Sequence, residues 1–98
     1  MSKKRPPNAE RDYMASVAEL GCLICWQPAE VHHKTGAGMG MRASNYDTMP
    51  LCPRHHRTGG HGFAIHAGTE TWEAKYGLQD EHIKMTKRML NHSDKVGG

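Results

Sequence analysis

Large apolar side chains are scarce in this chain. Its 98 residues include a single Phe, and hydrophobic residues make up 37% of the total. A core that poor is marginal at this length, which argues for one domain held by something besides apolar burial. No apolar run approaches the roughly 18 residues that a membrane span requires. Paired cysteine is lacking too. Three Cys cannot form a closed disulfide framework, and their spacing reads as metal ligation in a reducing compartment. The N-terminus is basic with no apolar stretch behind it, so it does not read as a secretory signal, and we expect a cytoplasmic protein.

What the chain does have is irregular backbone, positive charge and histidine. Eleven Gly and five Pro imply long irregular stretches that need pinning. The formal charge of +3, with eight His counted as neutral, suits a polyanionic partner. Residues 1–8 read as a basic flexible arm, 9–92 as a single domain and 93–98 as a disordered tail. Asn8 is placed to cap a helix that starts at Ala9, carries Tyr13, Val17 and Leu20 on one face, and ends at Gly21. Glu30 to Lys34 reads as a short strand and residues 35–46 as a Gly- and Met-rich loop. Pro53 suits the first turn of a helix bearing His55 and His56, interrupted by Thr58–Gly62. Thr69 is expected to cap a helix through Trp72 and Tyr76, stopped by Gly77. A last helix runs from Asp80 to about Asn91 and carries Ile83, Met85, Met89 and Leu90. Trp72, Tyr76 and Met89 are expected in the core. The mixture is α+β.

The cysteines carry the clearest chemistry. Cys22-x-x-Cys25 is one knuckle, and Cys52-x-x-His55 repeats its spacing. Zn²⁺ prefers four tetrahedral thiolate or imidazole ligands, and two knuckles supply two each. A closed Cys₃His structural site follows, using every cysteine in the chain. The competing readings are a redox pair or unrelated buried thiols. A redox Cys-x-x-Cys belongs in a βαβ unit, and none is visible.

With His55 assigned to zinc, His32, His33, His56 and His66 remain for other work. Neighbouring strand residues point to opposite faces, so His32 and His33 are expected to take different roles. His56 follows a zinc ligand, and the knuckle fixes its position. His82 and His92 read as ordinary surface or core histidines.

Cys22-x-x-Cys25, Val31-His32-His33 and Asp47-x-x-Pro50-Leu51-Cys52-x-x-His55-His56 together resemble the HNH nucleases of the ββα-metal type. The stretches Ala64 to His66 and Trp72 to Gly77 narrow the resemblance to small phage and prophage proteins. These are related to the RecA-dependent nuclease of recombination enhancement. The resemblance covers about residues 20–78. It implies a zinc-stapled ββα-metal domain with flanking helices that nicks or cuts DNA, leaving 5′-phosphate and 3′-hydroxyl ends. His32, His56 and His66 would hold a catalytic Mg²⁺ or Mn²⁺, and His33 would be the general base. Asp47 falls where the family has its central Asn, which orients the base. Asn45 rivals Asp47 for that position, and His61 is the alternative to His66. The implied partners are DNA and a RecA filament or another recombination or packaging protein. The implied location is the bacterial host cytoplasm if the protein is phage-encoded.

An imidazole titrating near its ordinary value of about 6.5 serves well as a base at neutral pH. Lys34, Arg42, Arg54 and Arg57 lie close to the proposed site in sequence and are the expected phosphate contacts. The rival reading is a non-catalytic zinc-binding DNA or protein adaptor that keeps the HNH scaffold.

Overall fold

The computed structural model describes residues 7–35 and 43–92. The expectations for residues 1–6 of the arm, residues 36–42 of the Gly- and Met-rich loop with Arg42, and the tail 93–98 lie outside the described residues. The order of elements is helix α1 (Pro7–Glu19), strands β1 (Glu30–His33) and β2 (Thr48–Leu51), a π-helical turn (Arg54–Thr58), a 3₁₀ turn (Ile65–Ala67), and helices α2 (Thr69–Tyr76) and α3 (Gln79–Met89). It is a small α+β arrangement. Among the described residues no helix is long and apolar enough to cross a membrane.

Helix α1 begins at Pro7, two residues before the expected start. Proline suits the first helical turn, where its missing N–H has no intrahelical partner to lose. Tyr13 and Val17 are buried and Leu20 is half-buried. The chain leaves the helix through Gly21 at φ 86°, a backbone state glycine takes without steric penalty.

The two strands pair antiparallel, with His32 opposite Met49 and His33 opposite Thr48. β1 ends at His33 rather than Lys34. The ladder continues one step beyond it, since Lys34 N–H donates to the Asp47 carbonyl at 3.0 Å. All four residues of β2 are buried. Pro50 is tolerated in that strand because its carbonyl still accepts a bond, from Leu23 N–H at 3.1 Å.

The core is small and continuous with the cysteines. Met49, Leu51, Ile65, Trp72 and Ile83 pack in one buried cluster with Cys22 and Cys52. Helix α3 contributes Gln79, Ile83 and Thr86, spaced to share one face.

Three expectations need correction here. Gly68, not Thr69, occupies the position before α2, and no side chain caps that helix. Thr69 is the first helical residue, its hydroxyl 3.4 Å from that of Thr35. Helix α3 starts at Gln79 and ends at Met89. Met89 is 43% exposed, so it lies outside the core that holds Trp72.

Candidate metal centres

Cys22, Cys25, Cys52 and His55 converge, with one donor atom from each lying within 4.8 Å of the others. Gly21 and Trp26 open the first knuckle. Trp26 N–H donates to the Cys22 carbonyl at 2.7 Å, and Trp26, at φ 64°, turns the chain so that the Gln27 carbonyl accepts from Cys22 N–H at 2.9 Å. The second knuckle is the entry to the π-helical turn, with Pro53 in helical geometry. Cys25 Sγ and Cys52 Sγ are 3.7 Å apart, and Cys52 Sγ is 3.2 Å from His55 Nδ1. Tetrahedral zinc, with Zn–S near 2.3 Å, sets sulfurs about 3.8 Å apart, so the thiol spacing suits such an ion. All three cysteines are free thiols. Burial lowers the pKa of His55, aided by the charges of Arg54 and Lys75, and so favours the neutral imidazole a metal requires. This cluster is compatible with a structural metal such as zinc.

A second group gathers on the other side of the π-helical turn. His32, His56 and His66 each bring a ring nitrogen within 4.8 Å of the others. The hydrogen bonds decide which nitrogens are available. Gln79 Oε1 accepts from Thr35 N–H at 3.0 Å, and Gln79 Nε2 donates to the Thr35 hydroxyl at 2.9 Å. That pair fixes the amide, so its oxygen accepts from His32 Nε2 at 3.0 Å. His32 Nδ1 is left as a buried lone pair with no hydrogen-bond partner. His32 is fully buried, and burial lowers its pKa to about 4.

His56 is oriented from its other side. Its Nδ1 donates to Glu30 Oε2 at 2.7 Å, leaving Nε2 for a ligand. Arg57 grips the same carboxylate through two contacts of 2.6 and 3.1 Å. Its guanidinium lowers the Glu30 pKa to about 2. A carboxylate on the far nitrogen of a histidine fixes its tautomer and raises its basicity toward a metal. His66, on the 3₁₀ turn, is exposed. Its pKa is lowered by partial desolvation and by the charge of His56. Three converging imidazoles, one of them facing solvent, match a site that keeps an open coordination position.

His61 does not join this group. Its Nε2 lies 3.3 Å from the Thr71 hydroxyl and its ring rests against Gly68. The Gly-rich turn that separates His56 from His66 is compact. Gly59 N–H bonds the Arg54 carbonyl at 3.0 Å, and a Cβ on Gly59 would collide with that same oxygen.

His33 sits apart from the trio and faces a different partner. Its Nε2 is 2.8 Å from Asn45 Oδ1. Asp47, expected to orient this ring, is not the residue beside it. Asp47 instead accepts from Lys87 of α3 at 3.1 Å, while Asn45 occupies the place beside His33. The cause is a β-turn over Ser44–Asp47, closed by Asp47 N–H donating to the Ser44 carbonyl at 2.9 Å. The turn puts Asn45 at its second position and leaves Asp47 in line with β2.

The expected phosphate contacts are partly engaged within the chain. Lys34 pairs with Asp80 at 2.8 Å, and Arg57 is held by Glu30. Arg54 is exposed, its guanidinium 5.4 Å from the Phe63 ring centroid. Glu30, Gln79 and Glu10 are residues to which sequence reasoning assigned no role. Glu30 had a legible signal, since strand residues two apart share a face and it stands two before His32. Gln79 and Glu10 had none, because both act across long sequence separations.

A family described as a protein of unknown function, DUF968, matches residues 2–97. The chain belongs to this family. It is also similar to the uncharacterized protein YdfU of Escherichia coli (strain K12), with 34% identity over 84 residues. That match covers 82% of the chain and 22% of YdfU, so the DUF968 chain spans about a fifth of its relative's length. No solved structure matches the chain.

Proposed function

We propose that this DUF968 protein is a metal-dependent DNA endonuclease of the HNH, ββα-metal type. The observation that carries the reading is the bare-nitrogen trio of His32, His56 and His66 next in sequence to a separately oriented imidazole, His33. An adaptor needs a structural zinc cluster. It has no use for three further imidazoles, two of which have the outer nitrogen held, His32 by Gln79 and His56 by Glu30. The middle position adds support, because Asn45 stands beside His33 and supplies the asparagine that this nuclease type would require. The order of elements agrees too: base on β1, asparagine in the turn, and His56 on the helical turn after β2.

In this reading His33 donates Nε2–H to Asn45 and takes a proton from the attacking water at Nδ1. Asn45 holds the ring and its tautomer. His32, His56 and His66 would hold a divalent ion, which when bound polarises the scissile phosphate and stabilises charge on the leaving 3′ oxygen. Imidazole nitrogen suits transition ions better than Mg²⁺. The DNA backbone is expected to meet Lys34 and exposed Arg54. A setting in phage recombination or packaging, with or without a RecA filament, is part of the same proposal.

The test is nicking of supercoiled plasmid by the zinc-loaded protein with Mg²⁺, Mn²⁺, Ni²⁺ or added Zn²⁺. Wild type should nick with at least one ion, and His33→Ala should lose about 10²-fold or more in rate. Full activity of His33→Ala refutes the base assignment. Absence of nicking with every ion, with and without a RecA filament, favours the adaptor.

A further inference from the structure

We infer that Glu10, on helix α1, is a positioning residue that sets the tautomer of His33 through Asn45. Its link to a general base rests on the nuclease reading above; its effect on the ring does not.

The argument is one of donors and acceptors. Asn45 Nδ2 donates to Glu10 Oε1 at 2.6 Å. An ionised carboxylate can only accept, so it admits only the NH₂ face of the amide. The Asn45 oxygen is thereby turned to His33 Nε2, 2.8 Å away. An oxygen at that place requires a proton on Nε2. The lone pair is then confined to Nδ1, the nitrogen a base must keep free. Without Glu10 the amide could rotate by half a turn and present NH₂ to His33, which would favour the opposite tautomer and occupy the wrong nitrogen.

The backbone on either side of this relay is well held. Asn45 lies in the Ser44–Asp47 turn, and its carbonyl accepts from the Thr48 hydroxyl at 3.2 Å. Glu10 comes from the first turns of α1, a helix anchored by buried Tyr13 and Val17. The relay joins elements 35 residues apart in sequence. Glu10 is half-buried and outside the apolar cluster, so its replacement leaves the core intact.

The experiment follows the His33 imidazole nitrogens by long-range ¹H–¹⁵N correlation in the zinc-loaded full chain, alongside plasmid nicking. Wild type should show one neutral tautomer with the proton on Nε2. Glu10→Gln keeps the size but can both donate and accept. It should give a mixture of tautomers and lower the nicking kcat about 10-fold with KM for DNA unchanged. Asn45→Asp should disturb the ring as well, since it sets two carboxylates against each other. Combining it with Glu10→Gln should restore the Nε2–H form, because the new amide donates to the new carboxylate. A single Nε2–H tautomer in Glu10→Gln overturns the proposal, as does a double variant no better than Asn45→Asp alone. If wild type nicks no DNA, the nuclease reading fails, and the nitrogen spectra still decide the role of Glu10.

Discussion

Glu30 Oε2 lies 2.7 Å from His56 Nδ1, and that bond decides which nitrogen of His56 is left to bind a metal. Arg57 holds the carboxylate in place from the adjoining position on the π-helical turn. A residue expected to meet phosphate thus supports the histidine trio from within.

Glu30→Ala should therefore weaken metal binding at the histidine trio by roughly 10–100-fold and leave the cysteine site loaded. Titration calorimetry with Mn²⁺ or Co²⁺ on the zinc-loaded protein measures the first effect, and elemental analysis the second. Unchanged affinity would remove Glu30 from the site.

Removing the structural metal should unfold the protein, because the apolar cluster is built against Cys22 and Cys52 and is small by itself. Cys52→Ser should lose the zinc and with it cooperative thermal melting. Circular dichroism after complete chelation checks this. A native melt from stripped protein would show that the thiols are only neighbours.

Stability should fall with acid because of His32. Burial lowers its pKa to about 4, from an ordinary value of 6.5. Below pH 6.5 the unfolded chain takes up a proton that the folded chain refuses until about pH 4. Unfolding therefore gains ground as pH drops through that window, and the full stability is present above it. The loss amounts to roughly 3 kcal/mol across the window. Urea midpoints for wild type at several pH values should show the slope, and His32→Gln should flatten it. The variant also separates this effect from acid release of zinc, which both proteins share.

Asn45 and Asp47 should separate cleanly in activity. Asn45→Ala should lower nicking by an order of magnitude or more, since the His33 ring loses its oxygen partner. Asp47→Ala loses the ion pair to Lys87, in which Asp47 is 41% exposed and Lys87 13%. The substitution removes that carboxylate from a mostly buried ammonium, so melting should fall while nicking persists. Equal losses in the two variants would return Asp47 to consideration.

Much of the cysteine site was legible in the sequence. Cys22, Cys25, Cys52 and His55 stand in two local knuckles of equal spacing, and local spacing constrains where ligands point. Helix α1 and the stop at Gly21 were legible for the same reason. The choice between Asn45 and Asp47 was not. They lie three residues and one residue before the buried strand, and only the turn at Ser44–Asp47 shows which side chain reaches His33. Met89 was misread because helical spacing reports a shared face and not whether that face is covered.

By itself the sequence determined the donor types, their grouping into knuckles, and the need for a staple in a chain with so little to bury. Ligand chemistry and short spacings are properties of neighbouring residues. The tertiary structure decided which nitrogen of each imidazole stays free. Gln79, Glu30 and Asn45 each answer that question from another element, after the chain has folded back on itself. Hydrogen-bond direction is set by the partner across space, and no local pattern records who that partner will be.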